Sequence, residues 1–185
     1  MNKFDLIKKK IEDQIKLSEI EIDFMHSQLT LKWVLFLKPD ADILLQIAAL
    51  GHDYDRSFPD RERSKFHSTY EAYKQAHAKK SAQLIVDLMK ENDFAPEEIN
   101  RTRELIENHE VGGEDDLQIL TDADSLAFFE GNVPSYRKTH SEEDTKSKII
   151  FMYKRISENG KNFLNQIKFE DEELNKLYQN TINNL

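Results

Sequence analysis

The 185-residue chain contains no cysteine. That excludes disulfide scaffolds, thiolate nucleophiles, iron–sulfur clusters and Cys-based zinc sites, so any metal must rest on His, Asp or Glu. Glycine is scarce as well, with five residues against a usual share of roughly 7%. None falls in G-x-G-x-x-G or G-x-x-x-x-G-K-[ST], so no glycine loop is available to cradle phosphate. No run approaches the roughly 18 apolar residues of a membrane span. The first residues, MNKFDLIKKKIEDQIKL, lack the apolar centre of a signal peptide. A soluble, cytoplasmic protein with no membrane partner is expected. Basic residues are in deficit, 26 against 35 acidic ones for a net charge of −9, which argues against a nucleic-acid partner while leaving room for a local basic patch.

Eleven Phe, six Tyr and a regular supply of Leu and Ile keep the chain well away from disorder, and its length suits one domain. Apolar spacing is helical from end to end. Phe4, Ile7, Ile11 and Ile15 form one stripe. Ile22, Leu29, Trp33 and Leu37 form a second that stops at Pro39, and Asp40 is expected to cap a third helix running to Gly51. Residues 52–66, HDYDRSFPDRERSKF, break the period and read as a long loop, a length that usually serves a purpose. A helix over about 68–92 follows, then one opened by Pro96. The next comes after Gly112-Gly113 and includes Leu117, Leu120 and Phe128. Another starts at Ser141 with Gly160 as its stop, and a last begins near Asp171. With no period-two segment of strand length and no repeat, the predicted fold is all-α: a single-domain helical bundle spanning 1–185.

Certain polar residues fall on the apolar faces of these helices. His26 keeps helical spacing with Ile22, Leu29 and Trp33; His77 with Tyr70, Tyr73, Ser81 and Leu84; His109 with Leu105 and Ile106. Asp124 sits among Leu117, Leu120, Ala127 and Phe128, and His52-Asp53 lies where the third helix meets the loop. A single inward His is usually a hydrogen-bonded structural residue, and an inward carboxylate is costly unless paired. Imidazoles cannot neutralise two buried carboxylates as a divalent cation does. Mixed His and Asp ligation suits Mn²⁺, Fe²⁺, Co²⁺, Ni²⁺ or Zn²⁺ without choosing among them.

The order His26, His52-Asp53, His77, His109, Asp124, with the segments AALGHDYD and LTDADSLAFF, resembles the HD-domain superfamily of metal-dependent phosphohydrolases. The resemblance covers about residues 20–130, leaving 131–185 as a helical extension. It implies a metal held by His26, His52, Asp53 and Asp124. A second would be held at His77 and His109 with Asp53 bridging, Mg²⁺ joining the candidate ions. Asp53, His77 and His109 would be the catalytic residues, His77 or His109 supplying a proton where it does not ligate. The competing arrangement is one metal with two imidazoles facing phosphate. His67 is a weaker rival to His77, and His140 reads as a surface residue.

The chemistry implied is hydrolysis of a phosphate ester of a nucleotide or another small phosphorylated metabolite, with the metal activating water. Arg56, Arg61, Arg63 and Lys65 after the HD pair, Lys80 after His77, and Arg137 are the candidate substrate-binding cations; Arg155 is a weaker one. Arg56 stands where some nucleotide-hydrolysing members carry Glu, which sets this chain apart from them. Two alternatives stay open: an HD-type di-iron oxygenase on the same ligands, and a non-enzymatic helical module with a structural metal site. Oligomeric state is not legible.

Overall fold

A computed structural model describes residues 3–185, so the first two positions of the expected 1–185 domain lie outside the described residues. In α1 (Lys3–Ile15) the stripe Ile7, Ile11 and Ile15 is buried. α2 (Asp23–Leu37) buries a broader and more polar face than its apolar spacing indicates: Asp23, His26, Ser27 and Thr30 beside Leu31, Trp33 and Val34. Leu29 and Leu37 of the expected stripe are only partly buried. The cause is that α2 is packed on two sides, against α3 (Ile43–Gly51) and α6 (Asp115–Ala127). Its hydroxyls are satisfied within the helix, Thr30 Oγ1 donating to His26 O at 2.9 Å and Ser27 Oγ to Phe24 O at 3.0 Å.

Asp42, not Asp40, caps α3, accepting from the Leu44 and Leu45 N–H groups at 3.1 and 3.0 Å. The turn closed by Ala41 N–H on Lys38 O uses up Asp40 first, which delays the helix by two residues. α3 is apolar almost all round because α1, α2, α5 (Pro96–Asn108) and α6 surround it. At its end Gly51 lets α4 (Tyr70–Lys90) close in: a Cβ there would stand 2.6 Å from Ile85 Cδ1 and 2.8 Å from Ile85 Cγ1. The segment expected to be a bare loop contains two 3₁₀ turns, Tyr54–Ser57 and Ser64–Phe66.

Thr69 caps α4, its Oγ1 accepting from Ala72 N–H at 3.1 Å. α5 opens on Pro96, where the missing N–H costs nothing, while the Glu98 carboxylate accepts from Ala95 N–H at 2.8 Å. α4 and α5 lie side by side. α6 passes into a π turn, Phe128–Asn132, so Phe128 falls beyond the helix end, and α7 (Val133–Thr139) follows directly. Ser141 caps α8 (Glu142–Tyr153), which stops at Tyr153 rather than at Gly160. Gly160 instead lies inside the short α9 (Glu158–Lys161), capped by Ser157. The chain ends in α10 (Glu172–Ile182), capped by Asp171 and packed on α8. No strand occurs among the described residues, and none of their helices is long and apolar enough to cross a membrane.

One buried carboxylate ties the last third of the chain to the core. Asp122 on α6 accepts from Ser157 N–H at 2.8 Å, from Gln118 Nε2 at 2.8 Å and from the Ser157 hydroxyl. This fixes the turn after α8 against α6.

Candidate metal centre

Three elements aim donor atoms at one buried point. His26 comes from the middle of α2, His52 and Asp53 follow the end of α3, and Asp124 projects from the last turns of α6. Their atoms form a tight set: His26 Nε2 is 3.1 Å from Asp124 Oδ1, 3.2 Å from His52 Nε2 and 3.8 Å from Asp53 Oδ2. His52 Nε2 is 3.6 Å from Asp124 Oδ1 and 3.7 Å from Asp53 Oδ2. Donors about 2.1 Å from a cation stand about 3.0 Å apart when octahedral and about 3.4 Å apart when tetrahedral. The spacing therefore fits a divalent ion.

A second set adjoins the first. His77 from α4 and His109 from the end of α5 place ligating atoms within 4.8 Å of one another and of Glu110. Asp53 links the sets, Oδ2 facing the first and Oδ1 lying 2.7 Å from His77 Nε2.

Backbone and side-chain acceptors select the imidazole tautomers. His52 Nδ1–H donates to Ala49 O at 2.9 Å and His109 Nδ1–H to Ile106 O at 2.7 Å, which leaves each Nε2 lone pair pointing inward. His77 Nδ1 bonds the Asp55 carboxylate, itself held by the Glu62 N–H at 3.0 Å and the Ser81 hydroxyl at 3.3 Å. His109 Nε2 is a buried nitrogen with no hydrogen-bond partner, 3.8 Å from Glu110 Oε1. Orphaned buried polar atoms of this kind ask for a ligand.

Charges surround the donors. Burial pushes the Asp53 carboxyl up, but Arg56, His52 and His77 outweigh it and hold Asp53 well below the usual carboxylate range. Asp124 is likewise lifted by burial and carried well below that range by Arg155, His26 and His52. Burial pushes the His77 imidazolium down, and Asp53 and Asp55 reverse this, raising it to about 9. For His109 burial prevails, lowering it to about 4.

Arg56 Nη1 pairs with Asp53 Oδ2 at 2.7 Å; Arg155 Nη2 pairs with Asp124 Oδ2 at 3.0 Å and donates to His109 O at 2.9 Å. The other basic residues anticipated beside the substrate lie elsewhere. Arg61 pairs with Glu19 at 2.9 Å, Lys80 with Asp60 at 2.9 Å, and Arg137 donates to His140 O at 3.1 Å. Lys65 is exposed and covers Phe66, and Arg63 is absent from the pocket walls. The acidic surface supplies Arg61 and Lys80 with carboxylates of their own. His67 pairs with Glu62 at 2.8 Å away from the centre, and His140 is exposed, stacked on Tyr136.

The centre opens into a narrow pocket of about 50 Å³ walled by His26, Asp53, Asp124, Arg56, Arg155 and Lys148, together with Glu110 and Asn132. Sequence reasoning missed Lys148, Glu110 and Asn132. Glu110 carried a usable signal, a carboxylate adjacent to an inward His. Burial pushes the Lys148 ammonium down, and its Nζ lies 3.3 Å from the Tyr70 hydroxyl.

No curated protein and no solved structure matches the chain. One family, described as a domain of unknown function (DUF4202), matches residues 1–177, nearly the whole length. The chain, with its buried His/Asp cluster, belongs to the DUF4202 family.

Proposed function

We propose that the protein is a metal-dependent phosphohydrolase related to the HD-domain superfamily. One observation carries this reading: His26, His52, Asp53 and Asp124 converge at ligand spacing in a buried pocket whose wall holds Lys148, Arg56 and Arg155. A divalent cation there would supply Lewis acidity toward water and a phosphoryl oxygen. His77, His109 and Glu110 would hold a second one, with Asp53 shared.

The protein's own groups prepare the reaction. Arg56 and Arg155 orient the two ligating carboxylates and keep them ionised. Asp55 fixes the His77 ring beside Asp53, and His109 stays neutral with its lone pair inward. In the net change, water oxygen bonds to phosphorus as the P–O bond to the alcohol breaks. The water supplies the proton that leaves with the alcohol, and inorganic phosphate is the other product.

The test is metal analysis of protein purified without chelators, paired with phosphate release from small phosphoesters under Mn²⁺, Co²⁺ or Mg²⁺. Bound metal and phosphate release, both lost in the His52→Ala/Asp53→Ala double variant, are expected. Bound iron with oxygen uptake and no phosphate release would favour the di-iron oxygenase; activity surviving in the double variant would remove these residues from the mechanism.

A further inference from the structure

A second cleft, about 420 Å³, begins where the metal pocket ends, and Arg56, Phe128, Asn132 and Lys148 wall both. Its far walls are Ile20, Glu21 and Ile22 ahead of α2, and Ser135, Tyr136 and Thr139 on α7. Three features of the junction bear on what enters it.

The first is charge. Arg56 and Arg155 are committed to Asp53 and Asp124, at 2.7 and 3.0 Å, and Lys74 to Glu71 at 3.2 Å. Lys148 has no carboxylate within ion-pairing distance among the described residues. Its Nζ is held by the Tyr70 hydroxyl and lies 5.0 to 5.6 Å from the ring centres of Tyr70, Phe128 and Phe151. A half-buried cation lacking a counterion is a ready partner for an anion. One such cation suits one phosphoryl group, whereas a di- or triphosphate chain requires several.

The second is an unused acceptor. Asn132 Oδ1 is buried without a hydrogen-bond partner, and a donor on the ligand would satisfy it. The third is the π turn that carries Phe128 and Asn132. Such turns gather at functional sites because they re-aim side chains that an α-helix would point elsewhere.

Resting on the phosphohydrolase reading, we infer that this cleft is the leaving-group subsite. The substrate is then a monoester of a neutral, ring-bearing alcohol: Lys148 holds its phosphoryl group, Asn132 Oδ1 accepts from a hydroxyl or N–H of the alcohol, and Ile20, Ile22 and Tyr136 cover its apolar face. A nucleoside and a hexose both meet this description.

The test compares methyl phosphate, a hexose phosphate, a nucleoside 5′-monophosphate and the corresponding diphosphate on the Mn²⁺-loaded protein, with binding of inorganic phosphate measured by calorimetry. Asn132→Leu is expected to lower kcat/KM for the preferred ring ester at least tenfold more than for methyl phosphate. Lys148→Met is expected to weaken inorganic phosphate binding about tenfold. Ser135→Trp, at an exposed wall position, tests the cleft should Asn132→Leu fail to fold, and is expected to raise KM selectively for ring esters. Equal losses on methyl and ring esters, a diphosphate consumed as fast as the monophosphate, or phosphate binding indifferent to Lys148→Met would overturn the subsite. Absence of phosphate release from every ester by the wild type would instead defeat the phosphohydrolase reading itself.

Discussion

His109 spends its Nδ1–H on a backbone carbonyl and leaves Nε2 buried without a hydrogen-bond partner, so burial lowers its pKa to about 4 from 6.5. The unfolded imidazole takes up a proton below 6.5 while the folded one resists until about 4, so unfolding is coupled to proton uptake in that window. In metal-free protein this part of the stability is present above pH 6.5 and disappears as pH falls toward 4, on the order of 3 kcal/mol. His77 acts in the opposite sense: raised to about 9, its contribution is present below 6.5 and is lost as pH rises through 9. Urea denaturation between pH 6.5 and 4.5 with chelator present is expected to give a shallower stability loss in His109→Asn than in the wild type. Parallel curves would show that burial does not govern this group. Reading inward faces singled out His26, His52, Asp53, His77, His109 and Asp124, and the structure brings them together. Lys148 escaped because a lysine on the charged helix α8 has the pattern of a solvated residue; only the packing of Tyr70, Phe128 and Phe151 around its ammonium distinguishes it.

Among the elements, α3 depends most on a close approach. Gly51→Ala would drive a Cβ into Ile85 and push α3 from α4 just before His52. Overpacking of this kind costs about 1–3 kcal/mol, and metal affinity should drop with it as His52 shifts. The double variant Gly51→Ala/Ile85→Ala removes both close atoms, so recovery of metal affinity is expected; an affinity that stays low would place the cost elsewhere. The long helices are legible from apolar spacing and caps, whereas the short α7 and α9 are not. Boundaries are less legible, and for local reasons: the turn at Lys38–Ala41 consumed Asp40 before a helix could use it, and the Ser157 cap absorbed Gly160 into a new short helix.

At the scale of the molecule, the 131–185 segment is more than an extension, since Lys148 and Arg155 of the pocket wall come from it. Asp122 holds it in place through Ser157, two residues beyond Arg155. Asp122→Ala leaves those donors unmatched in a buried setting, a loss of about 2–3 kcal/mol, and frees Arg155 to leave Asp124. Both a lower denaturation midpoint and weaker metal binding are expected, measured by urea titration and calorimetry. A variant that loses stability and keeps full metal affinity would show that Arg155 holds its place without the tether. That long-range dependence is invisible in the sequence, where nothing marks Asp122 as the partner of Ser157.

The π turn adds a constraint on helical phase. The wide turn takes up one residue more than an α turn does, without carrying the following helix round by that residue's share of about 100°. Were residues 128–132 to adopt regular α geometry at unchanged length, Ser135, Tyr136 and Thr139 would swing round by about that angle. The floor of the second cleft would turn away from Ile20 and Ile22, though no side chain had been altered. Chains of this family that keep this length but lose the wide turn would share the metal ligands and differ in the compounds they accept.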